Sequence, residues 1–385
     1  MNYYKSGRSN CHVVSLDAAK AFDKLWRDGL FEKLKPVTEP CTWRLLHRYY
    51  EESFAVVGLE GFRSDKFKIN EGVKQGGILS SLLFNFFMDG LLSSLLELNV
   101  GALVGGVNTS ALAYCDDILL ISPVEAHMQK LIQCCEVYAD RWKLSFNTTK
   151  SSSYSMVPVE YNFMLNGERI PKSQGFVYLG LPIGGVDFVE EFYLEKMRSC
   201  EKALYSMKNI GCNPYRLHPL AVGFIYKQYC QSILKFGFEF VQLRRSFLSK
   251  LDVRQNILLK NILGVHHRAR FKVVLNEIKV EQVSLLYAKH KVFGWKQCVR
   301  NGLTETLFNI LNSGESVDFQ TNKSSSFSKQ LREVVGSKEL HSVDVGEVLK
   351  QLEMDYVCHD IELREGVVHI FGAFTRNAPL LASRS

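Results

Sequence analysis

The chain has 385 residues, is 46% hydrophobic and 23% charged, and carries a formal net charge of +7. This composition excludes a disordered or fibrous chain and suits roughly two or three domains with cores of their own. The charge is uneven: between Lys196 and Arg300 twenty Lys and Arg stand against five Asp and Glu, a surplus of fifteen that leaves the rest of the chain net negative.

The first residues, "MNYYKSGRSNCHVVSLD", contain no apolar run of signal-peptide length. The ten cysteines are scattered and no C-x-x-C occurs. They read as reduced thiols of an intracellular protein, neither a disulfide framework nor a zinc ribbon.

In chain order, "CHVVSLDAAKAFDK" begins as a β-branched strand and turns helical after Asp17, the helix continuing toward Leu34 until Pro36 and Pro40 end it. "FKINEGVKQGGILSSLLFNFFMDGLL" reads as a strand, a Gln-Gly-Gly turn and a long apolar helix. Its only charge after Gln75 is Asp89, and its Gly-Gly start and Ser-Ser pairs fit a helix buried between protein layers rather than a membrane span. "SALAYCDDILLIS" is a hairpin, and a helix from about Glu125 to Trp142 follows. "KLSFNTTKSSSYSM" reads as strand, turn, strand, and "FVYLGLPIGG" as a tight hairpin. The first 185 residues are thus α+β, and helices dominate from about Phe192 to Arg300. In "RRSFLSKLDVRQNILLKNILG" apolar residues recur at helical intervals with Arg254 and Lys260 among them. Such a helix can simply be a solvated charged face, but the surplus over the whole stretch points to a polyanion partner. After Asn301 come a Ser-rich linker, "NKSSSFSK", and a poorly patterned tail.

Asp116 and Asp117 are the anomaly, two carboxylates inside an apolar hairpin. Like charges about 5 Å apart repel by about 3 kcal/mol at an effective dielectric of 20, so they need either water or a cation. One reading makes them ordinary turn residues satisfied by solvent. The other adds Asp17, 99 residues earlier at a strand end, and lets a sheet bring three carboxylates to one point. Mg²⁺ suits such a place, taking one or two carboxylates, waters and substrate phosphate oxygens. Two such ions stabilise both the attacking and the leaving oxygen of a phosphoryl displacement.

The ordered motifs "SLDAAKAFD", "GVKQGGILSSLLFNFFMD", "AYCDDILLIS", "KLSFNTTKS" and "VYLGLPIGG" resemble the palm of reverse transcriptases of non-LTR, LINE-type retrotransposons. The resemblance covers about residues 10 to 185, with a looser likeness to thumb helices up to about Arg300. It implies a polymerase palm with an antiparallel sheet over residues 1–190, a basic helical thumb over 191–300, and a tail of unknown role over 301–385. It implies an RNA-directed DNA polymerase using two Mg²⁺ or Mn²⁺ ions, an RNA template, a DNA primer and deoxynucleoside triphosphates.

Residue by residue, Asp17 and Asp116 match the principal metal ligands and Asp117 the supporting carboxylate. Phe22 matches the aromatic that excludes a 2′-hydroxyl, although it could equally be core. Gln75 and Gly76 match the element beside nucleotide and template, where the glycines alone could simply shape a turn. Lys150 matches the lysine that protonates the pyrophosphate leaving group, or is an ordinary loop lysine. Tyr178, Leu179 and Gly180 match the primer-gripping hairpin. Asp23 reads as structural or helix-capping.

The chain departs from the family wording at Cys115 and in "QGGILSS", which lacks two prolines. Only sixteen residues precede Asp17, so the family's fingers are expected upstream in a longer element. The alternative reading is a non-catalytic remnant that keeps a nucleic-acid-binding surface. A metal-dependent phosphohydrolase is disfavoured, since it has no need of Phe22, Gln75 and a basic thumb together.

Overall fold

A computed structural model describes residues 9–313 except 159, 210, 214, 215 and 271, together with 3, 4, 348 and 350. The Ser-rich linker and most of the tail lie outside the described residues. The chain divides between Leu179 and Gly180 into two compact units.

The first unit is built on a four-stranded antiparallel sheet. Its strands are β1 (His12–Ala18), β2 (Ala111–Tyr114), β3 (Asp117–Ser122) and β4 (Phe146–Ser155), in the order β4-β1-β3-β2. Two long helices, α1 (Ser80–Glu97) and α2 (Glu125–Trp142), share the core with it. Leu16, Ile118 and Leu120 of the sheet are fully buried there with Phe84, Phe87 and Leu91 of α1 and Leu131, Ile132 and Cys135 of α2. Each such large apolar side chain contributes about 1.5–3 kcal/mol by leaving water. In α1 the buried positions Leu83, Phe84, Phe87, Met88, Leu91 and Leu95 follow the helical repeat, while Asp89 is exposed. Among the described residues no helix is long and apolar enough to cross a membrane.

Two local features differ from the sequence reading. The helix expected from Asp17 to Leu34 is broken: β1 runs on to Ala18, and helices Ala21–Lys24 and Arg27–Leu34 are separated by Leu25 and Trp26 in extended backbone. Fully buried Leu25 belongs to the core, which fixes the interruption without a Gly or Pro. The expected strand-turn-strand at Phe146–Ser155 is one strand, paired with β1 on both sides of an interruption. Ser15 pairs with Ser152 and Asp17 with Asn147, so Leu16 alone faces the four residues Thr148–Ser151. This is an enlarged β-bulge.

The second unit is helical. Its core gathers Tyr193, Met197, Cys200 and Leu204 of α3 (Val186–Ser206), Leu251, Leu259 and Ile262 of α4 (Arg245–Leu263), and Val283 and Tyr287 of α5 (Val283–Cys298). A rod over Pro219–Lys235 carries a π-helical turn at Tyr226–Cys230, where the Tyr226 hydroxyl donates to Gln255 Oε1 at 3.1 Å. Part of the basic surplus is neutralised locally. Arg244 binds Asp187 and Glu190, Arg254 binds Glu201, and Lys289 binds Glu281. The acidic residues Asp187, Glu190, Glu191 and Glu195 all lie on α3 just before Lys196, so a count begun at Lys196 overstates the unit's charge.

Candidate active site

Asp17 and Asp117 are directly opposed in register across β1 and β3. Both strands are central to the sheet, and backbone pairing holds these positions side by side although they are a hundred residues apart. Asp116 precedes Asp117 in the β2–β3 turn. Tyr114 pairs with Asp117, so Cys115 and Asp116 are the two turn residues, Cys115 at φ +53°. Only one aspartate therefore occupies the turn, and Asp117 belongs to the strand.

All three carboxylates are half-buried. The Asp117 carboxyl is pushed above the usual range, first by burial and then by Asp116 and Asp17, which marks the three as one electrostatic neighbourhood. A cation stands beside them: Lys150 Nζ is 4.0 Å from Asp17 Oδ2.

Lys150 owes that position to the bulge. Asn147 Oδ1 accepts from the backbone N–H of Thr149 (3.1 Å) and Lys150 (3.2 Å) and from the Thr149 hydroxyl (2.8 Å), an Asx-type turn that closes the bulge on itself. Ser151 Oγ accepts from the Asp17 N–H at 3.3 Å and donates to the Asn147 carbonyl at 2.8 Å, bridging the gap the bulge leaves in the ladder. Sequence reading missed Asn147 and Ser151. An Asn followed by two Thr was the available signal.

Phe22 is half-buried and stacked on Phe84 of α1, ring centroids 4.8 Å apart. The loop carrying Gln75 docks beside it. Val73 N–H donates to the Phe22 carbonyl and Gly72 N–H to the Leu25 carbonyl, each at 2.8 Å. Gly72 is buried at φ +75°, and a Cβ there would stand 2.5 Å from the Asp23 carbonyl oxygen. Buried Arg27 fastens the same loop, donating to the carbonyls of Gly72, Tyr50 and Ile69. Gln75 is exposed, and its Nε2 donates to Asp23 Oδ1 at 3.0 Å, so Asp23 ties two motifs together instead of capping its helix. Gly76 is exposed at φ +76°, and a Cβ there would meet nothing within 4 Å.

Tyr178 ends the strand Gly175–Tyr178, and its hydroxyl donates to the Asp117 carbonyl at 3.1 Å. Burial first and then Asp117 push its pKa up to about 12. Leu179 and Gly180 follow at φ +49° and +77°, the backbone of a tight hairpin turn.

Mg²⁺ prefers oxygen ligands and usually keeps several waters, bound through one or two carboxylates and substrate phosphates. The donor chemistry of Asp17, Asp116 and Asp117 fits that ion. Among the described residues no group of three or more His, Cys, Asp or Glu is arranged to hold an ion unaided. Water and phosphate would have to complete the coordination.

Comparisons with known proteins bear on the same segment. The family described as reverse transcriptase (RNA-dependent DNA polymerase) matches residues 1–183. The chain is 34% identical over 124 residues to the Pol polyprotein of the type-2 retrotransposable element R2DM of Drosophila melanogaster, covering 32% of this chain and 12% of that one. It is 22% identical over 286 residues to the RNA-directed DNA polymerase from the mobile element jockey of the same species, covering 70% and 30%. To a type-1 R2 Pol polyprotein of Popillia japonica it is 26% identical over 182 residues, covering 46% and 29%. The matched stretch thus spans less than a third of each of these relatives. Among solved structures, apo telomerase of Candida tropicalis aligns with a TM-score of 0.40 at 12% identity, covering 91% of this chain and 54% of that one. Residues 1–183 thus match the reverse transcriptase (RNA-dependent DNA polymerase) family, and the relatives the chain resembles are Pol polyproteins and RNA-directed DNA polymerases of mobile elements.

Proposed function

We propose that this chain adds deoxynucleotides to a primer 3′-hydroxyl under the direction of an RNA template. The observation that carries the proposal is the opposed pair Asp17 and Asp117, with Asp116 adjacent and Lys150 Nζ 4.0 Å from Asp17. Asp17, Asp116 and Asp117 would hold divalent ions, which supply charge stabilisation to the attacking and leaving oxygens when bound.

The chain's own residues do the rest. In the reaction the primer hydroxyl gives its proton to water, its oxygen bonds to the α-phosphorus, the bond to the bridging oxygen breaks, and pyrophosphate leaves with the electron pair. Lys150, whose backbone N–H is tied into the Asn147 turn and whose Nζ is 4.0 Å from Asp17, would give that leaving group a proton. Phe22, braced against Phe84, presents an aromatic edge that a 2′-hydroxyl would strike. Gln75, tethered to Asp23, lies beside it to orient nucleotide or template. Tyr178, Leu179 and Gly180 grip the primer end. The residues from 1 to about 190 act as palm, and the basic helices that follow act as thumb.

Primer extension on an RNA template with Mg²⁺ or Mn²⁺, comparing wild type with Asp17→Asn and Asp116→Asn, tests the reading. Extension by wild type alone supports it. Nucleic-acid binding with no extension by any form would favour a remnant that only binds. Manganese relaxation that is identical in wild type and the double variant would remove the metal assignment. If five to eight basic groups meet phosphates, duplex affinity falls with a log-log salt slope of about −4 to −7.

A further inference from the structure

A cleft of about 620 Å³ opens in the first unit next to the carboxylates, and apart from Lys150 and Asn147 its residues have no part in the nucleotidyl transfer proposed above. Its lining includes Lys20, Lys24, Trp26, Lys143, Asn147 and Lys150. Four lysines converge there from three separate segments: the residues after β1, the end of α2 and the β4 bulge. Lys150 belongs both to the cleft and to the carboxylate site, where its Nζ is 4.0 Å from Asp17.

Three of the four lysines have a partner: Lys24 pairs with Glu71, Lys143 lies over Trp26 and Lys150 is near Asp17. Lys143 leaves α2 in the left-handed region at φ +52°, and its Nζ lies 4.2 Å from the centre of the Trp26 ring. Lys20 is also left-handed, at φ +50°, directly before the helix Ala21–Lys24. Among the described residues its side chain makes no hydrogen bond or ion pair. Two carboxylates share the lining, and both are engaged: Glu71 binds Lys24 at 2.8 Å and Asp28 accepts from the Trp26 indole at 3.3 Å. Lys20, Lys143 and Lys150 therefore face the cleft without a carboxylate of its lining paired to them.

We propose that this cleft holds the inorganic pyrophosphate released at Asp17, an inference that rests on the polymerase reading. A compact, multiply charged anion suits a pocket whose volume is that of small-ligand sites, about 300–1,000 Å³. A polynucleotide backbone would need an open track instead. Beyond Lys150, beside Asp17, the anion has Lys143 and Lys20 ahead of it. Product thus departs on the side of β1 that faces the bulge.

The test is calorimetric titration of the full chain with sodium pyrophosphate, for wild type, for Lys20→Gln with Lys143→Gln, and for Lys208→Gln with Lys279→Gln. The last pair removes the same charge from exposed sites in the second unit. The cleft variant should bind about tenfold or more weakly, two charge-assisted contacts being lost, and the control should match wild type. Circular dichroism confirms that both variants are folded. Unchanged binding in the cleft variant, or equal weakening in the control, overturns the proposal. So does an equal loss of affinity for a non-hydrolysable deoxynucleoside triphosphate, since the cleft would then read the incoming nucleotide. Primer extension is measured on the same samples. Wild-type extension with pyrophosphate binding indifferent to Lys20 and Lys143 sinks the cleft alone. Absent extension with binding that depends on them sinks the polymerase reading and leaves a phosphate site.

Discussion

Gly72 and Gly76 share a backbone conformation and differ in surroundings, which makes a controlled comparison. At φ +75° and +76°, an alanine at either position incurs about 1–2 kcal/mol for the left-handed region. At Gly76 nothing stands within 4 Å of the added methyl, so the cost ends there. At Gly72 the methyl would lie 2.5 Å from the Asp23 carbonyl oxygen and 2.6 Å from that of Phe22. Both are backbone atoms that no rotamer change can clear. The loop must lift, lengthening the Gly72–Leu25 and Val73–Phe22 hydrogen bonds, both 2.8 Å, and overpacking of this kind adds about 1–3 kcal/mol. Gly72→Ala should therefore destabilise the protein by about 2–5 kcal/mol and Gly76→Ala by about 1–2 kcal/mol. Urea denaturation followed by tryptophan fluorescence gives both values, with unchanged m confirming a comparable transition. Because the loop also carries Gln75, Gly72→Ala should depress primer extension even where the protein remains folded. Equal destabilisation by the two substitutions would refute the close approach at Gly72 and with it the account of how the Gln75 loop is seated.

Asn147→Ala removes three hydrogen bonds that close the bulge and should slow extension while leaving duplex affinity unchanged. An unchanged rate in single-turnover kinetics would show that Lys150 needs no such support. Phe22→Val should relax discrimination against ribonucleotides by about 10- to 200-fold in competition assays. Lost stability with unchanged sugar selectivity would return Phe22 to the core, where it stacks on Phe84. Lys291 is fully buried in the second unit, and burial lowers its pKa to about 7 in the folded chain. Unfolding raises that pKa to its ordinary value, so between pH 7 and 9 the unfolded state binds the extra proton and stability rises with pH, by up to about 1 kcal/mol per pH unit. Lys291→Met should flatten the pH dependence of the urea midpoint by that amount, and parallel pH profiles for the two proteins would contradict it.

Much of the first unit is legible in the sequence because its motifs carry their own geometry. The Asp-Asp hairpin, the apolar helix with a single charge and the helix from Glu125 to Trp142 each read directly from period and turn chemistry. The bulge at Thr148–Ser151 is not, because a turn between two strands and a bulge within one strand show the same residues locally. Only the partner strand, more than a hundred residues earlier, distinguishes them. The break at Leu25 and Trp26 leaves no Gly or Pro signal, being set by core packing. The charge of the helical region is hard to read for a related reason. Its neutralising carboxylates lie some fifty residues from their arginines, as Arg244 and Glu190 do. The lysine-lined cleft is invisible at that level, since Lys20, Lys143 and Lys150 are ordinary surface residues until three segments meet.

The placement of β1 between β3 and β4 has a consequence for synthesis. The strand that carries Asp17 comes early in this chain, yet one of its neighbours, β4, ends at Ser155. At a translation rate of about 5–20 residues per second, the roughly 140 intervening residues take about 7–30 s to appear. Throughout that interval Val13, Val14 and Leu16, all destined for burial, have no complete sheet to join. The nascent chain therefore exposes an apolar strand with open edges, the condition in which chains pair with one another. Holding β1 in a soluble state until β4 arrives falls to chaperones or to low temperature, so yield of this protein should respond to the speed of its synthesis more than to the stability of its finished fold.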